Sequence, residues 1–236
     1  MRHGTAALTA ACLLVATVDP ARAGSFGIAP LRVDFDESHK SDVVQIRNTS
    51  DQELSLQVEA MTWRQAEDGE DRYENTEQLV AVPPIFTLPP GETQLVRVGT
   101  VASPALDHER AYRLYLTEIL PAKHSGGTRL RLRVGIPVFV APILPASPGL
   151  EFVSIDRLDD RLRVTLNNPG NSHVRVKQLT IVPETENAPE QSNAAQYVLA
   201  GAQRSFFLEI PVDYAVGRII AATDSLGVRE FVVRPQ

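Results

Sequence analysis

The sequence predicts an all-β protein built from two sandwich domains. Three observations carry that prediction. After Gly24 almost every apolar segment alternates with period two, and none sustains an amphipathic helical repeat. Clusters of Gly, Pro, Asn, Asp and Ser punctuate the segments at short intervals. Finally, Pro142, Pro145 and Pro148 interrupt the pattern near the middle, and the two stretches they separate have sizes that suit immunoglobulin-like modules.

In chain order, Val43–Arg47 precedes the turn cluster Asn48-Thr49-Ser50-Asp51, and Leu54–Ala60 alternates strictly, as a half-buried strand does. Leu95–Val98 follows Pro89-Pro90-Gly91-Glu92, where proline presets φ and glycine accepts a positive φ. Tyr112–Ile119 is rich in aromatic and branched residues, and Arg129–Val140 alternates without a break. Beyond Gly149, strands are expected at Leu150–Ile155, Leu162–Leu166, Val174–Val176, Tyr197–Leu199, Ser205–Ile210 and Val228–Val233. The expected limits are 24–143 for the first domain, 144–149 for a short semi-rigid proline-rich hinge, and 150–236 for the second domain.

Residues 1–23 read as a secretory signal. Arg2 supplies the positive start, Thr5–Val18 is apolar, and Ala21-Arg22-Ala23 is a small-x-small cleavage site. The run is too short for a bilayer span, which takes about 20 residues. Cys12, the single cysteine, lies in this segment, so the exported chain has no thiol and must rely on hydrophobic cores.

The composition is that of a globular protein, and a net charge of −6 gives no reason to expect nucleic-acid binding. None of the five histidines stands at metal-ligand spacing from another histidine or a cysteine, and they read as solvated loop residues. Phosphate loops, nucleophile elbows and HExxH-type motifs are missing from the sequence, so no catalytic constellation, metal or cofactor is expected. Asn48-Thr49-Ser50 reads as a turn, and Asp159-Asp160 and Glu184/Glu186 as solvated faces.

The informative segment is Arg129–Val140. Leu130, Leu132, Val134, Ile136, Val138 and Val140 face one way; Arg129, Arg131, Arg133, Gly135, Pro137 and Phe139 face the other. An ordinary sandwich strand with one face on the core explains the alternation by itself. Alternatively it is an edge strand that offers its apolar row to a partner, and Pro137, which has no N–H, suits an edge or a strand end. An exposed apolar edge is an aggregation hazard without a dedicated partner, and donor-strand complementation supplies one.

Several further segments, in order, resemble the PapD-like periplasmic pilus chaperones over nearly all of the exported length. They are Phe26–Arg32, Val44-x-Ile46-x-Asn48 with a strand ending near Trp63, and Pro83-Pro84-x-Phe86-x-Leu88-x-Pro90-Gly91 followed by Gln94 and Val96-Arg97. Glu109–Arg113, leading to Glu118-Ile119-x-Pro121, and Ile136–Pro142 complete the set. The Pro-Val-Phe-Val-Ala-Pro ending and the short interval before it are more similar to the archaic, Csu-type or spore-coat-like branch than to the P and type 1 branch.

The resemblance implies two immunoglobulin-like domains in a boomerang, working in the periplasm without enzymatic activity or a small-molecule substrate. Its partners are pilus or fimbrial subunits, stabilised by a donated strand, and an outer-membrane usher that receives them. Leu130, Leu132, Val134 and Ile136 would be the donor residues, and the unliganded edge would be prone to self-association. Arg32 matches one of two basic residues that hold the subunit's terminal carboxylate. The other, a lysine in the P and type 1 branch, falls on Pro137, and Arg113 is its substitute here. Glu109 and Asp224 match acidic residues that fix the interdomain angle, whose usual arginine partner falls on Ala141. The alternative from another class is a secreted adhesion or carbohydrate-binding module, which would need exposed aromatic platforms; Trp63 is the only tryptophan.

Overall fold

The computed structural model describes residues 26–101, 106–120, 130–158, 161–184, 189–192, 195–209 and 215–233. The predicted signal segment 1–23, Arg129, His124, Asp159-Asp160 and Glu186 lie outside the described residues.

The described regular structure is all β. In the first sandwich, β1 (Phe26–Ala29), β3 (Ser41–Asn48), β8 (Thr93–Thr100) and β6 (Leu79–Val82) form one sheet in that order. The facing sheet runs β2 (Val33–Phe35), β10 (Arg133–Val140), β9 (Arg110–Glu118), β4 (Leu54–Gln65) and β5 (Asp71–Asn75), and β7 (Ile85–Leu88) also pairs with β4. Val44, Ile46, Val96 and Val98 from one sheet meet Leu56, Leu114, Leu116 and Val138 from the other. Each such buried side chain contributes roughly 1.5–3 kcal/mol. The first segment serves both sheets. β1 pairs antiparallel with β3, the chain turns at Pro30, and β2 then pairs parallel with β10.

The second sandwich packs β11 (Glu151–Leu158), β12 (Arg161–Asn167) and β16 (Gln203–Glu209) against a second sheet. That sheet is ordered β14 (Glu190–Ser192), β13 (Val174–Pro183), β17 (Val216–Thr223) and β18 (Val228–Val232), with β15 (Gln196–Val198) also on β13. Its core is Val164, Leu166, Val176, Leu179, Ile181, Phe206 and Ile219 with their neighbours. No strand of β1–β10 pairs with one of β11–β18.

The two sandwiches share a turn device. Fully buried Asn48 donates its amide to the carbonyls of Gln52 (2.7 Å) and Leu88 (3.0 Å), while its Oδ1 accepts from the Ser50 N–H. Asn168 repeats this, donating to Ser172 and Val198 carbonyls and accepting from the N–H groups of Gly149 and Gly170. Each amide therefore pins a tight turn to a neighbouring strand without leaving a buried polar atom unpaired.

Candidate functional site

Strand β10 carries the site, and its two flanks are not alike. On one flank it pairs with β9 along its whole length, from Arg133 opposite Thr117 to Val140 opposite Arg110. On the other, β2 pairs only with Val138–Val140. The expectation of a simple edge strand is therefore corrected: the strand is interior over its last three residues and unflanked by any described strand before them. The short β2 begins just after the bend at Leu31, by which the chain arrives from the other sheet through Pro30.

Main-chain geometry defines what that free flank offers. The Glu118 N–H donates to the Leu132 carbonyl at 2.9 Å, which makes this a hydrogen-bonded pair and directs the even-numbered residues toward β9. Arg133 and Gly135 consequently turn their N–H and C=O groups the other way; the strand expected from Arg129 begins at Arg133, with Leu130–Leu132 leading into it. At the far end the Ala141 N–H donates to Phe35 O at 2.8 Å, in keeping with odd-numbered residues facing β2.

Among the expected donor residues, Leu130 is 81% exposed, Leu132 and Val134 are half-buried, and Ile136 is 1% exposed within the first core. The row thus grades from open to closed as β2 arrives.

The outer face of the same sheet is covered by stacked cations and rings. The Arg113 guanidinium lies over Trp63, 3.9 Å from the ring centroid, and its Nη1 is 3.4 Å from Gly135 O. Arg133 lies over Tyr115 at 3.9 Å, and Tyr115 meets Tyr73 edge-on. Gly135 makes room for this layer, since a Cβ there would lie 2.8 Å from Cε1 of Tyr115. Burial, reinforced by the Asp71 charge, pushes the Tyr73 hydroxyl well above its ordinary value and keeps it neutral.

Arg32 precedes β2 on this outer face and donates through Nε to Asp34 Oδ2 at 2.8 Å. Burial opposes its charge, but the attraction of Asp34, then Tyr197 and Asp224, outweighs burial and raises its pKa. Val33 pairs with Val138, so Arg32 falls beside Pro137, and Pro137 in turn pairs with Arg113. The two arginines flank that proline in one row across three strands.

The row borders the contact between the sandwiches, where Trp63, Ala111 and Phe139 of the first pack against Tyr197 and Leu199 of the second. Trp63 is 2% exposed and donates from Nε1 to Asp71 at 2.8 Å. It is no exposed platform. Asp71 also accepts from Tyr73 and Gln65 and pairs with Arg204 of the second sandwich. Gln65 donates to Tyr197 O at 2.8 Å and accepts from the Leu199 N–H at 2.9 Å.

Glu109 and Asp224 both stand at this contact. Glu109 accepts from His173 Nδ1 at 2.8 Å and from the His173 N–H at 3.1 Å. The His173 ring stacks on Phe139, centroids 3.7 Å apart. The reading of His173 as a solvated loop residue is overturned: its side chain is only 12% exposed. Spacing rules for metal ligands had no means of finding a histidine whose partner is 64 residues away. Asp224 accepts from the Arg175 N–H at 3.0 Å and lies 3.9 Å from Arg32.

Residues 25–144, about half of the chain, match the model of a family described as pili and flagellar-assembly chaperones, PapD N-terminal domain. The chain belongs to that family. Similar solved structures include the CsuC–CsuE chaperone–tip adhesion subunit pre-assembly complex from the archaic Csu pili of Acinetobacter baumannii. It is 22% identical with a TM-score of 0.65, covering 89% of this chain and 97% of that one. The YadV chaperone is 15% identical, TM-score 0.63, over 88% and 99% of the two chains. The SafB chaperone, solved with the SafA pilin of Salmonella enterica, is 16% identical, TM-score 0.60, over 90% and 98%. At these identities the likeness concerns the fold: two immunoglobulin-like domains spanning this chaperone. No curated protein matches the chain.

Proposed function

We propose that this chain is a periplasmic chaperone that lends the open half of β10 to pilus subunits. The observation that carries the reading is the flank before Val138, where no described strand pairs with Arg133–Pro137, beside an apolar row that opens toward Leu130. A subunit lacking a strand finds ladder partners at Arg131, Arg133 and Gly135, and side chains for its groove at Leu130, Leu132 and Val134. Ile136, seated in the chaperone's own core, ends the row and fixes its direction.

Arg32 and Arg113, on either side of Pro137, hold the subunit's terminal carboxylate; a guanidinium does so bidentately, in a charge-assisted pair. Glu109, through His173, and Asp224, beside Arg32, hold the two sandwiches at a set angle. The protein is exported after cleavage behind Ala23, folds as units 24–143 and 150–236 about the 144–149 hinge, and passes its cargo to an outer-membrane usher. It binds; it does not catalyse.

Periplasmic co-production with a pilus subunit, followed by affinity capture, tests the reading. A stoichiometric complex is expected, and Leu132→Asp should abolish it while the chaperone stays folded, because a carboxylate buried without a partner is heavily penalised. Undiminished capture by the variant removes the donor assignment. A subunit that is degraded despite the chaperone removes the function.

A further inference from the structure

Pro137 stands where β10 changes from a strand flanked on one side to one flanked on both. Odd-numbered residues of β10 face β2, as the bond from the Ala141 N–H to Phe35 O requires. In a parallel ladder the next donors toward the N-terminus recur every second residue, at 139 and then 137. With Val138 opposite Val33, the N–H of residue 137 would meet the carbonyl of Leu31. A proline there has no N–H to give. The ladder between β10 and the chain's own first segment stops at the step where that donor would be needed, and Leu31 is bent away and exposed.

The loss costs nothing on the other flank. Pro137 pairs with Arg113 at a position whose main-chain groups face away from β9, so the proline removes no bond from that ladder. Pro137 is buried and stands in register between Arg32 and Arg113. A residue with a free N–H would offer the Leu31 carbonyl a ladder bond one step beyond Val138, toward the flank that a subunit needs.

We propose that Pro137 is a positioning residue that stops self-pairing at Val138 and so reserves the flank from Leu130 to Gly135 for a partner strand. The proposal deepens the donor-strand reading and rests on it, but the free protein already reports on the boundary.

The test uses Pro137→Val, which keeps a β-branched bulk in the strand, and Pro137→Ala, which keeps a small one. Amide hydrogen exchange on the free, folded variants is read at residue 137, together with Tm and the affinity for a pilus subunit. The expected result has two opposite signs. The new amide at 137 is protected and Tm is equal to or above that of the unsubstituted protein, whereas the subunit binds roughly fivefold more weakly, the scale of one net hydrogen bond. An amide at 137 that exchanges as fast as those of Arg131 and Arg133 overturns the proposal. So does a protected amide with unchanged affinity, and so does a fall in Tm alongside the weaker binding in both variants, which is the mark of damaged packing. If the unsubstituted protein captures no subunit, the donor-strand reading fails, and the exchange at residue 137 still decides whether the proline ends the ladder.

Discussion

The two halves of β10 share one neighbour and differ in the other. From Val138 to Val140 the strand lies between β9 and β2, Val138 is in the first core, and Phe139 is packed against Trp63, Tyr197 and His173. From Arg133 to Pro137 β9 is the only described strand alongside, and the apolar row runs from buried Ile136 through half-buried Val134 and Leu132 to exposed Leu130. The residue types differ as well: Leu130–Gly135 alternates apolar residues with Arg and Gly, whereas Val138-Phe139-Val140 is apolar on both faces. The closed half thus differs from the open one both in its own outer face, where Phe139 replaces Arg and Gly, and in having β2 beside it. β2 has three residues, and its pairing with β10 stops at Val138.

Substitutions can break this contrast by degrees. The largest effect belongs to a carboxylate in each half. Val138→Asp should cost at least about 4 kcal/mol and unfold the first sandwich, whereas Leu132→Asp should cost about 1 kcal/mol or less; denaturant titration compares them directly. Next comes the outer face. Phe139→Ala removes a ring at the contact between sandwiches and should cost about 3–5 kcal/mol, against under about 1 kcal/mol for Arg133→Ala on half-exposed Tyr115. Gly135→Ala should be milder, about 1–2 kcal/mol, because the added Cβ pushes the Tyr115 ring from its seat. The smallest effect on stability and the sharpest on function should come from Arg113→Ala. It is expected to weaken capture of the subunit's terminus several-fold, while Arg47→Ala on the opposite sheet does not; binding of subunits with and without an amidated C-terminus reads this.

Much of the architecture was legible from period-two alternation, because a half-buried strand writes its two faces into successive residues. The strands at Leu54–Ala60, Leu95–Val98 and Leu162–Leu166 all lie within observed ones. β17 went unread: Val216-Gly217-Arg218-Ile219-Ile220-Ala221-Ala222-Thr223 places small and apolar residues on both faces and breaks the alternation. The charged stretch from Glu67 to Glu77 left its order open, yet Asp71–Asn75 is a strand, tied to β4 by pairing of Trp63 with Tyr73.

For the site, the apolar row of β10 was visible in the sequence, but the point where it closes was not. That point depends on β2, about a hundred residues earlier, and on where its chain departs. Trp63 shows the same limit. A lone tryptophan at a strand end can be a platform or a packing residue, and only the approach of Tyr197 from the other sandwich decides between them. His173 required Glu109 and Phe139 to be brought to it by the fold. Asn48 was read as part of a turn, which is right, but its bonds to Gln52 and Leu88 make it a buried pin as well.

The most direct test of the central claim is amide hydrogen exchange along β10, with and without a bound pilus subunit. The account predicts fast exchange at Arg131, Arg133 and Gly135 in the free chaperone and slow exchange at Phe139. In the complex all four should be slow, because the subunit's strand completes the ladder. Amides at Arg131, Arg133 and Gly135 that stay fast in a stoichiometric complex would contradict it, since the subunit would then be held by some other surface.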